Sequence, residues 1–179
     1  PNDIICHVRM LDNNAASQQN ALGIAGVNLL YAAYFYRDDR EQFIRSLADF
    51  VTTERLEVDI LVLEGPDFAG VDNRIVALEL VEYGMTNAAM FGPGGHVLHA
   101  ASALYKKPAL IERGTFRPVT KVNLDMLECA RKRFTETSGI AGEDIVVLFE
   151  VTMKNLLKEG ELDKADFLAR VDTLGALGH

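Results

Sequence analysis

Cysteine is scarce in this chain, with Cys6 and Cys129 the only two among 179 residues. A lone pair is not a disulfide framework, there is no CxxC, and no His/Cys spacing suggests a zinc site. Cys6 falls in an apolar strand-like run and Cys129 in a helical pattern, so both are expected as buried thiols in a reducing compartment. Basic charge is also short: 18 Lys and Arg against 26 Asp and Glu give a net charge of -8 and a pI near 5.0. That balance argues against non-specific binding to nucleic acid or to an anionic membrane. Long apolar runs are missing as well. The longest, Ala21 to Phe35 with Asn28 inside it, falls short of the ~20 residues that cross a bilayer, and reads as a helix buried in protein. No signal-peptide pattern is visible, and the expected location is cytoplasmic. Catalytic signatures are few: neither GxSxG nor HExxH occurs, and Gly92-Pro-Gly-Gly-His96 lacks GxGxxG spacing and reads as a turn. His96 and His99 have no third ligand beside them, so no metal site is assigned, and the cofactor is left open.

What is present is a folding composition, 49% hydrophobic and 25% charged, on a length that suits one domain. Strand signals at Asp3 to Leu11, Val58 to Leu63, Asn87 to Phe91, Pro108 to Glu112 and Asp144 to Phe149 alternate with helical patterns. Asp12, Asn13 and Asn14 offer caps for a helix from about Ser17 to Tyr36, which contains Gly23 and Gly26. A second helix runs from about Arg40 to Val51. Asp72 caps the next, Asn73 to Tyr83, with Gly84 placed for its left-handed end. Val97 to Leu104 reads as a short strand or turn followed by one helical turn, and a helix follows from about Leu124 to Thr135. A further helix is expected from Val151 and stops at Gly160. Asp163 caps the last, with Phe167, Leu168, Val171 and Leu174 on its inner face.

This alternation favours βαβ units and predicts a single α/β domain, 1–179, built as a Rossmann-like three-layer sandwich with a mostly parallel sheet. Part of a β/α barrel is the alternative, since alternation alone does not separate the two. Both ends stop where a sheet would continue, so a fragment of a longer chain is expected.

Parallel α/β sheets gather their sites at the carboxyl ends of the strands. The polar residues predicted there are His7 and Arg9, Glu64 and Asp67, Arg113, Thr115 and Arg117, and Glu150 with Thr152 and Lys154. Arg113 and Arg117, with Gly114 and Thr115 between them, suit a phosphate or carboxylate, because the guanidinium fork matches oxyanions. Equally, one of them pairs with Glu64 or Glu150 and ties two loops together. Glu64, Asp67 and Glu150 are the acid/base candidates. Glu64 and Asp67 also suit a hydrated magnesium ion, or a plain turn around Gly65-Pro66. His7, Arg9, Arg113, Thr115 and Arg117 are the ligand-binding candidates.

Several stretches together resemble a family of much longer bacterial proteins. They are His7-Val-Arg-Met-Leu-Asp12, Gln18-Gln19, Ala21-Leu-Gly-Ile-Ala-Gly-Val-Asn28, Glu64-Gly-Pro-Asp-Phe68, Val71-Asp-Asn-Arg74, Glu112 to Thr120, Phe167 to Asp172 and Leu174 to Gly178. Members often carry the label nicotinate-nucleotide adenylyltransferase. Transferases of that type hold an HxGH-like histidine pair after the first strand, where this chain has His7-Val-Arg-Met10. The resemblance implies a bacterial, cytosolic, multidomain protein.

Two functional expectations follow. One is a small anionic or phosphorylated ligand, such as a nucleotide, held at the strand rim. The other is a non-catalytic scaffold that contacts neighbouring domains or further copies of itself. The apolar helix Ala21 to Phe35 motivates the second, because it needs more cover than one sheet face gives.

Overall fold

The computed structural model describes residues 1–158 and 161–178, apart from the side chains of Glu143 and Lys158. The chain divides into two compact units, Pro1–Met90 and Phe91–His179. Together they make a mixed α/β protein, and no helix among the described residues is long and apolar enough to cross a membrane.

The first unit runs β1 (Asp3–Met10), α1 (Ala15–Phe35), α2 (Arg40–Ser46), β2 (Leu56–Glu64) and α3 (Asn73–Glu82). Each helix begins on a side-chain cap that satisfies an orphan N–H: Asn14 accepts from Ser17 N, Asp39 from Gln42 N and Asp72 from Arg74 N. After α3 the chain turns at Gly84, whose φ of 73° is the left-handed geometry that favours glycine. Along β1, Ile4, Cys6, Val8 and Met10 pack on the core while Asp3, Ile5, His7 and Arg9 face out, as a half-covered strand requires. The strands pair antiparallel, Asp3 opposite Glu64 and Met10 opposite Leu56, with an irregularity between His7 and Val8.

The predicted mostly parallel sheet is therefore corrected in this unit. Two successive helices between β1 and β2 give the chain one more reversal than the single crossover of a βαβ unit, so β2 returns against β1. Helix α3 packs on β2, and α1 packs on β1 and α2. Phe43, Ile44, Leu61, Val76 and Leu80 are sealed between them. Glu79 is buried in the same layer, where Arg40 grips it with two bonds of 2.5 and 2.9 Å. Asn73 turns its amide onto β2, accepting from Leu63 N at 2.9 Å and donating to Leu63 O at 3.2 Å.

The second unit comprises β3 (Met90–Phe91, which straddles the boundary), β4 (Val97–Leu98), α4 (Ala100–Ala103), β5 (Ala109–Arg113), α5 (Lys121–Ser138), β6 (Val146–Glu150), β7 (Leu157–Lys158), β8 (Glu161–Leu162) and α6 (Lys164–Gly175). Strands β5 and β6 are parallel, in register from Ala109–Val146 to Arg113–Glu150, with the single helix α5 between them. Helix α5 opens on a reciprocal cap: Thr120 Oγ1 accepts from Asn123 N, and Asn123 Oδ1 accepts from Thr120 N. It ends at Gly139 with φ 69°. Among the described residues no barrel closes; the strands form two-stranded ladders, one of them parallel.

Three local expectations are also corrected. The strand predicted from Asn87 shortens to Met90–Phe91. The helix predicted from Val151 is a 3₁₀ turn at Met153–Leu156, since β-branched Val151 and Thr152 stay out of it; Gly160 lies outside the described residues. Cys129 is exposed, because α5 buries little beyond Leu127. Cys6 is half-buried, and burial raises its thiol to about 11.

Candidate functional site

The carboxyl ends of β5 and β6 lie side by side, which brings Arg113 and Glu150 together. Arg113 Nε and Nη2 donate to the two oxygens of Glu150 at 3.0 and 2.9 Å, and this bond holds the guanidinium above its usual value. Arg113 remains 68% exposed. The loop that follows is fixed from beneath. Phe116, at φ 46°, tucks its ring into the interior and meets Phe149 edge-on with centroids 5.1 Å apart. Arg117 then pairs with Asp166 at 3.0 Å. The Thr115 carbonyl accepts from Arg170 Nη1 at 2.8 Å, while Arg170 Nη2 donates to Asp166. Arg170 is only 5% exposed, and its Nε has no hydrogen-bond partner among the described residues. Asp166 thus sits between two arginines, and with Glu150 it sets two carboxylates against three guanidiniums. The arrangement is a set of ion pairs around Arg113-Gly-Thr-Phe-Arg117.

In the first unit the antiparallel register divides the predicted rim. Arg9 stands opposite Glu57, and Glu64 opposite Asp3, so His7 and Arg9 collect at one end of the ladder while Glu64 and Asp67 lie at the other. His7 Nδ1 is 2.6 Å from Asp59. Arg9 pairs with Glu57, whose other oxygen accepts from Thr86 Oγ1 at 2.5 Å. Burial pushes Glu57 up, but the bonds from Thr86 and Arg9 outweigh it and hold the carboxyl below its ordinary value. Glu64 is exposed. Asp67 follows Gly65, whose φ of 119° lets Asn2 approach to where a Cβ would stand, 2.5 Å from Asn2 Oδ1. Asp67 accepts from Asn2 Nδ2 at 2.7 Å and from Arg37 Nη1 at 3.1 Å, so it ties the chain start to this turn.

The other candidate feature is α1 itself. Ala21, Ala25, Asn28 and Ala32 recur at helical spacing and face inward; Asn28 braces the following loop by donating to Leu47 O and Asp49 O. The opposite face is open. Val27, Leu30 and Tyr34 form its ridge, with Leu30 73% and Tyr34 81% exposed, and Leu22, Tyr31 and Phe35 flank it. No charged residue occurs anywhere in the helix. The aromatic end is a ring cluster, Tyr31 tilted against Phe35 with centroids 4.4 Å apart and Tyr34 edge-on to Phe35 at 4.8 Å.

Sequence reasoning named Arg113, Arg117 and Glu150 but missed Asp166, Arg170, Glu57 and Asp59. Arg170 was detectable: it lies three residues from Phe167, inside the face predicted to point inward. No family profile, curated protein or solved structure matches the chain.

Proposed function

We propose that this chain is a non-catalytic interaction domain whose outer α1 face docks another protein surface. One observation carries the reading: a 21-residue helix without charge leaves Val27, Leu30 and Tyr34 in water. Contiguous apolar patches of this kind mark interaction surfaces on soluble proteins. The engaged state of the arginines supports the same reading, since Arg113 and Arg117 each already hold a carboxylate.

The test is the double variant Leu30→Ser/Tyr34→Ser, unfolded in urea at sub-micromolar protein concentration. A docking face predicts a stability within about 1 kcal/mol of wild type, with reduced binding of an apolar dye. A core-like loss of about 3 kcal/mol or more at that concentration would show the face belongs to the fold, and the reading would fail.

A second reading has its own support. Residues 109–150 form a parallel βαβ unit, the building block of a Rossmann-like sheet, with exposed Arg113 at its carboxyl rim. In this reading a phosphate or carboxylate ligand takes the place of Glu150 on Arg113, with the Thr115 hydroxyl and Arg117 beside it and Glu150 left as the acid/base group. Titration with inorganic phosphate and with AMP tests it. The reading requires heat of binding that Arg113→Gln abolishes, and silence at millimolar ligand sinks it.

A further inference from the structure

We propose that the occupant of the α1 face is a second copy of this chain, packed antiparallel about a two-fold axis that passes between Gly26 and Val27. The proposal rests on the interaction-domain reading and narrows it to one partner.

Three features of the helix point there. The first is charge. Neither the first nor the last turn of α1 carries an ionic group, and none stands between them. The face offers a charged partner nothing to pair with and would desolvate that partner's ions at a cost. A second copy brings an equally uncharged surface.

The second feature is size. The outer face runs from small to large: Ala16, Gln19, Gly23 and Gly26 in the first half, then Val27, Leu30 and Tyr34 in the second. A Cβ built on Gly23 or on Gly26 meets nothing within 4 Å, so the space above both is open. Reversal about the point between residues 26 and 27 carries position 23 onto 30 and position 19 onto 34. Leu30 of one copy then fills the space over Gly23 of the other, and the Tyr34 hydroxyl meets the Gln19 amide. A parallel pairing instead sets Leu30 on Leu30 and Gly23 on Gly23, leaving a gap at one end and crowding at the other. Antiparallel packing also opposes the two helix dipoles, which no charged side chain within the helix offsets.

The third is area. Val27, Leu30 and Tyr34 on the ridge, with Tyr31 beside them, expose on the order of 500 Å² per copy, the share of a small interface that forms and separates with concentration. A two-fold contact uses the same patch twice and closes without leaving a site for a third chain.

The experiment uses the full chain with Cys6→Ser and Cys129→Ser, followed by sedimentation velocity and mild oxidation of single-cysteine variants. The wild-type face should sediment as a dimer at tens of micromolar, and Leu30→Arg as a monomer. Val27→Cys, beside the axis, should cross-link to itself at least ten-fold faster than Leu30→Cys, whereas a mixture of Gly23→Cys and Leu30→Cys chains should form the mixed disulfide. Equal self-cross-linking of Leu30→Cys and Val27→Cys would overturn the antiparallel arrangement. A monomer at every concentration would overturn the second copy as occupant. In that case an unchanged stability of Leu30→Ser/Tyr34→Ser at low concentration leaves the docking face standing and assigns the failure to the partner alone.

Discussion

The two units are of similar length and hold themselves together in different ways. Pro1–Met90 surrounds a continuous apolar interior, with Phe43, Ile44, Leu61, Val76 and Leu80 sealed between one ladder and its helices. Phe91–His179 buries fewer apolar side chains, chiefly Phe116, Leu127, Ile145, Val147, Leu156 and Phe167. Both units carry polar ties, Arg40 on Glu79 in the first and Arg131 onto the Gly142 carbonyl, Asn123 onto Glu112, and Arg170 onto Thr115 and Asp166 in the second, but in the second they stand on less apolar packing. Burial is non-directional and tolerates repacking, whereas a polar tie works in one geometry and leaves an orphan when one partner goes. The first unit is thus built to withstand change on its surface, which suits a chain that displays an apolar helix face there.

That contrast can be broken at its strongest point. Phe43→Ala should cost the first unit about 3–5 kcal/mol, read by hydrogen exchange of β1 and β2 amides. Arg170→Ala should cost the second about 2–3 kcal/mol, read on β5 and α6, because Asp166 and the Thr115 carbonyl lose a buried donor. If the arginine change is silent while Phe116→Ala is severe, the second unit is held by packing after all and the contrast collapses.

The smallest effect sharpens it. Glu57 is a polar tie within the apolar unit, and its carboxyl lies below its ordinary value in the fold. A depressed carboxyl contributes stability in full above its unfolded value near ~4.3, and loses it as pH falls through the lower folded value. Glu57→Gln should therefore be less stable than wild type at pH 7, and the gap should close on acidification below about pH 4. Chemical denaturation at pH 7 and pH 3 checks this. A gap independent of pH would mean that Glu57 acts through packing and not through its charge.

Element positions were legible in the sequence because their signals are local. Asn14, Asp72 and Asp163 are caps beside helical patterns, and Gly84 sits where a helix must turn out. The direction of pairing was not legible. Both helices between the first two strands were expected, but alternation was read as a single crossover, and nothing local marks the extra reversal that turns β2 against β1. The candidate site divides in the same way. Arg113 with Glu150 was among the pairings foreseen, since both follow strands that end together. Asp166 and Glu57 answer Arg117 and Arg9 from remote positions, and no spacing rule connects residues brought together only by the fold. The exposed ridge of α1 was foreseen only as a need for cover: composition marks a helix as apolar all round, but which side stays open depends on where β1 and α2 stop.

Asn73 has a consequence for how the molecule keeps company. Its amide gives the Leu63 peptide both an acceptor and a donor, the two groups an adjoining strand would offer. A bare strand margin is an invitation to stack molecule upon molecule into fibrous aggregates. At Leu63 that invitation is already answered from within by a single side chain, which keeps the end of β2 out of such stacking.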